Sequence, residues 1–264
     1  GDGTNDAPAL KAADIGVAMG ITGTQVAKES SSMVLADDNF ATIVMAVREG
    51  RRIIDNVKKY LVYLLSANIS EIVLLTFSIA MGWPFPLLAK HLLYINLATD
   101  GSPAIALGME PAEPGVMKRR PRSPREGVLA GGGWLMAGIP VILSTISIVL
   151  FWSAMEQGGW ESEASLDRAR TMVFGLIVFF ELFFAFSSRS LGQSVARIGL
   201  LRNRVMAYSL AGESAAVLFI MNHPFMQGLF GFVPLAAIDW AIMLSLATAG
   251  FLYCELAKLV MRRA

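Results

Sequence analysis

Cysteine is almost absent. Cys254 is the only one in 264 residues, which excludes an internal disulfide framework and a zinc site built from cysteines. Charge is scarce as well: Asp, Glu, Lys and Arg make up 16% of the chain, too little for an ordinary soluble globular protein. The formal net charge is +1, and the basic residues fall in short clusters between apolar runs rather than along one face, so no nucleic-acid partner is expected. The first residues lack a signal-peptide pattern. They read as the middle of a domain, so the sequence is expected to be a segment of a longer parent.

Hydrophobic residues, by contrast, make up 55% of the chain, and they are gathered. Six apolar runs occupy about 57–81, 87–107, 129–153, 171–188, 205–221 and 238–259, each near the roughly 20 residues that a membrane-spanning helix needs. The lipid bilayer is therefore the expected partner, and the chain an integral, multi-pass membrane protein. Basic residues alternate between its connections. Arg51, Arg52, Lys58 and Lys59 precede the first run, Lys118 to Arg125 follow the second, Arg189, Arg197, Arg202 and Arg204 follow the fourth, and Lys258, Arg262 and Arg263 close the chain. Both termini of the segment are thus expected on the cytosolic side, which requires an even number of spans.

Two runs carry what a membrane helix normally excludes. The first holds Asn68 and Glu71; the second holds Asn96, Thr99 and Asp100. On helices these spacings put each set of oxygens on one face, and the short Gly-Trp-Pro-Phe-Pro connection turns the two faces toward each other. A carboxylate within a bilayer costs several kcal/mol unless it has a partner, so these acids suggest an ion pathway. Pro103 lacks an N–H, which deprives the carbonyl of Thr99 of its i+4 donor, and Gly101 loosens the backbone beside it. Broken helices of this kind form ion sites in transporters, and oxygen ligands suit a hard cation such as calcium. The other reading is a kinked packing helix with its polar groups bonded across the bundle; five converging polar residues favour the ion site. In the fourth run, Glu181 is the only acid between Thr171 and Ser187 and is read as a third carboxylate facing the same cavity. Asp239 and Glu213 are read as structural, and Lys90 and His91 as reaching the membrane interface.

Residues 1–56 are different in character. A Gly- and Asp-rich loop is followed by a short helix, a strand at Ile15–Met19, a helix around Gln25–Ser31, a strand at Met33–Ala36 and a helix after Asp38. That order suggests the back half of a doubly wound α/β domain. Asp2 and Asp6, flanking Asn5, make a plausible magnesium site, since magnesium takes one or two carboxylates together with phosphate oxygens. Asp-Gly and Asn-Asp runs are also ordinary turn formers, and spacing leaves both readings open. From Arg51 to Ala80 there is neither Pro nor Gly, so one unbroken helix is expected to lead from this domain into the first span.

The block GDGTNDAPALKAADIGVAMG resembles the hinge motif of P-type ATPases. The likeness continues through GTQVAKESSSMVLADDNFATIVMAVREGR, YLLSANISE, NLATDGSPAIALG and MKRRPRSPRE, which together look like the calcium-transporting branch related to the sarco/endoplasmic reticulum pump. What the resemblance implies is a mainly α-helical membrane protein: six transmembrane helices at 57–264, preceded at 1–56 by a partial α/β, haloacid dehalogenase-like phosphorylation domain and stalk. It implies that Asp2 ligates the catalytic magnesium, that Asn5 contacts the phosphoryl group and that Asp6 supports the metal site. Asn68, Glu71, Thr99, Asp100 and Glu181 match the family's first calcium site, and Asn96 and Asp100 match part of the second. The phosphorylated aspartate and the ATP-binding domain would lie in the missing N-terminal half of the same pump. Three carboxylates repelling one another in an emptied cavity further imply proton uptake when calcium leaves. The rivals are a manganese, sodium or proton pump on the same scaffold and a non-pumping membrane fragment; a soluble phosphatase is argued against by the apolar runs.

Overall fold

The computed structural model describes residues 1–123, 125–129 and 132–261. Pro124 of the basic loop, together with Arg262 and Arg263, which entered the charge pattern above, lies outside the described residues. The chain divides into two units, one comprising Gly1–Ile53 with Pro114–Arg119 and the other Ile54–Glu113 with Arg120–Ala264.

In the smaller unit a 3-10 turn at Thr4–Asp6 leads into α1 (Ala7–Ala12), β1 (Val17–Met19), α2 (Gln25–Ser30) and β2 (Met33–Leu35). The two strands are parallel, in the register Val17↔Met33, Ala18↔Val34 and Met19↔Leu35, with α2 as the crossover that a parallel pair requires. Leu10, Ala18 and Ala27 form its core. β1 is shorter than the sequence suggests, and Ile15 is exposed. The loop after β1 is held by Asp38, which adopts a left-handed φ of 49°, a conformation Asp tolerates better than most residues. Its carboxylate accepts from the backbone N–H groups of Gly20 (2.6 Å), Ile21 (2.9 Å) and Thr22 (2.7 Å) and from the Thr22 hydroxyl (2.7 Å). These bonds, that from Ile21 foremost, hold the carboxyl down at about 2.

α3 runs unbroken from Phe40 to Ala80, about 60 Å at the rise of an α-helix, as the lack of helix breakers after Arg51 predicts. The second apolar run is not one regular helix. It is built as α4 (Ala89–Tyr94), a π-helical segment (Ile95–Thr99) and α5 (Gly101–Gly108), with Asp100 N–H donating to the Ile95 carbonyl at 2.9 Å, one residue further back than in an α-helix. Then follow α6 (Gly133–Gly158), α7 (Glu163–Ser187), α8 (Val195–Ile198), α9 (Arg204–Asn222), α10 (Pro224–Phe230) and α11 (Ala237–Met261). Among the described residues five helices, α3, α6, α7, α9 and α11, are long and apolar enough to cross a membrane. The interrupted α4 to α5 run is the stretch that separates this number from the six expected.

α7 is the centre of the helical unit. Its apolar residues are buried nearly all round, the mark of a helix enclosed by others, and it packs against α6, α9 and α11. Gly250 of α11 admits Phe180 so closely that a Cβ there would stand 2.3 Å from the ring. Elsewhere apolar side chains such as Leu97, Ile105, Val141 and Leu252 point outward, as helices facing lipid require.

Candidate ion site between the broken helix, α3 and α7

On α3, Tyr63, Ser66, Ala67, Ser70, Glu71 and Leu74 are buried; their i, i+3, i+4 spacing makes one continuous inward face. Glu71 is 5% exposed on that face, and its Oε2 accepts from Asn96 Nδ2 at 3.0 Å, joining α3 to the π-helical segment. Thr99 and Asp100, 0% and 2% exposed, sit where the π turn ends and α5 begins. Glu181, 0% exposed, comes from the middle of α7. Asp100 lies within electrostatic reach of Glu71, and Glu181 of both Asp100 and Glu71.

The hydrogen bonding of this group is incomplete. Among the described residues, Glu71 Oε1, Thr99 Oγ1, Asp100 Oδ1 and both carboxylate oxygens of Glu181 are buried without a hydrogen-bond partner. Each such group costs about 1–3 kcal/mol, and more when charged. Five buried oxygens left without donors, on residues from three chain segments, have the chemistry that suits a hard cation. Among the described residues no three His, Cys, Asp or Glu side chains are gathered closely enough to hold a metal by themselves; hydroxyl and amide oxygens have to complete any coordination, as is common for hard cations.

Two expected members stand apart. Asn68 Nδ2 turns back onto the Leu64 carbonyl of its own helix at 2.8 Å, and Asn96 is exposed although bonded to Glu71. The Thr99 carbonyl, freed by Pro103, does not stay free: Tyr63 Oη donates to it at 3.2 Å. Tyr63 is no candidate by residue type, yet its separation of eight residues from Glu71 places the two on one helix face.

Other assignments change with the structure. His91 does not reach the interface. It is fully buried, accepting from Leu88 N–H at Nδ1 (3.2 Å), donating from Nε2 to the Phe230 carbonyl (2.8 Å) and stacking on Phe232; aromatic packing and two backbone bonds outweigh the pull of water. Lys90 is exposed and caps the Leu229 carbonyl at 2.9 Å. Lys59, Arg189 and Lys258, counted among the connection charges, are buried and paired with Glu113, Glu110 and Glu255. Asp239 is paired with Arg168.

In the smaller unit Asp6 Oδ2 accepts from the N–H groups of Asp2 (2.8 Å) and Gly3 (3.0 Å), bonds that hold its carboxyl below the usual range, that from Gly3 foremost. Asp6 thus fixes the loop, while Asp2 and Asn5 are exposed.

Residues 84–260 match the sequence signature of the family described as cation transporting ATPase, C-terminus. The chain is 41% identical to human calcium-transporting ATPase type 2C member 2 over 98% of its length, 40% identical to the calcium-transporting ATPase of Bacillus subtilis over 94%, and 38% identical to calcium-transporting ATPase 1 of Bacillus cereus over 98%. It spans 27%, 27% and 30% of those relatives respectively, less than a third of each. With a matched signature over most of its length and an integral, multi-pass helical build, the chain belongs to the cation-transporting P-type ATPases, as a C-terminal portion.

Proposed function

We propose that the chain is the membrane portion of an ATP-driven pump that exports calcium from the cytosol through an aspartyl-phosphate cycle, with protons moving in the opposite direction. The observation that carries the reading is the set of five buried, unpartnered oxygens on Glu71, Thr99, Asp100 and Glu181. A folded protein retains such a set at a stability cost when a ligand uses it. The names of the relatives, all calcium-transporting ATPases, supply the ion. Asn68 and Asn96 join the ligand set once their amides turn inward, two calcium ions being bound per cycle when an upstream helix completes the second site.

Proton counter-transport follows from the same carboxylates. Without a cation, three acids packed into one apolar enclosure are stabilised by taking up protons. In this reading the α4 to α5 run is the sixth span, and both termini face the cytosol. Residues 1–56 close the phosphorylation domain: Asp2 fits a magnesium ligand because it is exposed on a loop that Asp6 fixes, and Asn5 reaches the phosphoryl group. Magnesium, when bound there, supplies charge neutralisation at phosphate oxygens.

The test is phosphoenzyme formation from ATP by the full-length parent, titrated separately with calcium, manganese and sodium. Cooperative activation by calcium is expected. Activation by manganese in its place, which the same oxygen donors suit, keeps the pump and replaces the ion; no ion-dependent phosphoenzyme removes the reading.

A further inference from the structure

Arg189 is among the largest fully buried side chains of the described residues. A guanidinium cannot shed its charge by deprotonation, so its burial demands partners, and it has them. Nε and Nη2 form a fork onto the Glu110 carboxylate (3.2 and 3.1 Å), and Nη1 donates to the Leu200 carbonyl at 2.7 Å. Glu110, 2% exposed, also accepts from Asn203 Nδ2 at 2.7 Å. Asn203 donates in addition to the Ala106 carbonyl (2.8 Å), while its Oδ1 caps α9 through Met206 N–H (3.1 Å). From α3, Asn56 Nδ2 donates to the carbonyls of Gly108 (3.0 Å) and Glu110 (2.7 Å).

Four segments therefore meet at the end of α5: α3, which carries Glu71; α5 itself, which follows Asp100; the exit of α7, which carries Glu181; and the start of α9. Glu110 follows the end of α5, ten residues after Asp100, and Arg189 follows the end of α7, eight residues after Glu181. α5 needs such an anchor, because the π turn and Pro103 break the hydrogen-bonded continuity that would otherwise fix it. Replacing a buried ion pair by apolar residues is often neutral or stabilising, so its retention speaks for geometry more than for stability.

We propose that Arg189, Glu110 and Asn203 are positioning residues of the ion site, a buried lock that fixes α5 against α7 and α3 and so sets the separation of Asp100, Glu181 and Glu71. The inference rests on the ion-site reading above. Its test is the ion concentration giving half-maximal phosphoenzyme in the full-length parent, measured separately from the maximal level, for Glu110→Gln, Arg189→Lys and Asn203→Ala, with Glu71→Gln as reference.

The lock predicts that half-activation shifts upward by about fivefold or more in Glu110→Gln and Arg189→Lys, and to a lesser degree in Asn203→Ala. A merely structural role lowers the amount of folded protein and the maximal level but leaves half-activation of the folded fraction where it was. Half-activation within experimental error of the wild type, with Glu71→Gln shifted, overturns the lock and leaves the ion site standing; an indifferent Glu71→Gln overturns the ion site itself, and the lock with it. Should the two ion-pair variants fail to reach the membrane, Asn203→Ala decides, since it removes the two bonds to Glu110 and the Ala106 carbonyl, together with the α9 cap, while the Arg189 to Glu110 pair remains.

Discussion

Replacing Glu181 by Met should weaken ion binding and at the same time stabilise the ion-free protein. The carboxylate sits in α7 with both oxygens buried and unpartnered, in a stretch of Phe-Phe-Glu-Leu-Phe-Phe. At about 1–3 kcal/mol for each unsatisfied polar group, its removal relieves about 2 kcal/mol or more, provided the shape is kept. Met matches Glu in length and fills irregular gaps well. At roughly 2–4 °C per kcal/mol for a chain of this size, the midpoint of thermal unfolding in detergent with a chelator rises by about 4–8 °C. The wild type gains the opposite way: an ion at 100 times its dissociation constant adds about 2.7 kcal/mol, a gain that Glu181→Met loses. Crossed behaviour of this kind, a higher midpoint without calcium and no response to calcium, separates a ligand from a packing residue. A lower midpoint without calcium, or an undiminished calcium response, refutes the reasoning.

Tyr63→Phe leaves the Thr99 carbonyl without its donor, a loss of about 1–3 kcal/mol; calcium half-activation should rise by up to about tenfold, and unchanged half-activation and unfolding midpoint would exclude Tyr63 from holding the broken helix. Gly250→Ala drives a methyl into the Phe180 ring and should destabilise by about 1–3 kcal/mol, whereas Gly212→Ala in α9, with nothing within 4 Å of its added carbon, should be neutral or slightly stabilising; unfolding midpoints of the two compare them. Asp38 has a folded value depressed to about 2 from 3.8, so its contribution is fully present above about pH 4 and fades as the pH falls toward 2. Hydrogen exchange at Gly20, Ile21 and Thr22, measured near neutral pH, should accelerate severalfold in Asp38→Ala, and equal protection in variant and wild type would show that the carboxylate does not hold this loop.

The chain's periodicity made most of its helices legible: long apolar runs with few charges mark α6, α9 and α11, and the absence of Pro and Gly after Arg51 marks the length of α3. The acids were legible as well, because a carboxylate in an apolar run has no ordinary reason to be there. What the sequence hid were matters of pairing. Arg189 and Lys59 look like connection charges, since the pattern of one segment cannot tell a solvated arginine from one buried against a glutamate 79 residues away. Pro103 announced a break, but whether the freed carbonyl meets an ion or a tyrosine depends on the register of α3 against it, and that register is a tertiary property. The burial of His91 is hidden for the same reason: its aromatic partners Phe174 and Phe232 lie far along the chain. Asn68 shows the limit from the other side, being correctly spaced to join Glu71 yet bonded back to its own helix.

Equilibrium binding of calcium to the purified full-length protein, in the absence of ATP, tests the central claim most directly, with Asp100→Asn and Glu181→Gln measured beside the wild type. Saturable binding is expected in the wild type, competed by protons, and lost or reduced by at least an order of magnitude in both variants. Calcium bound equally by all three proteins would contradict it.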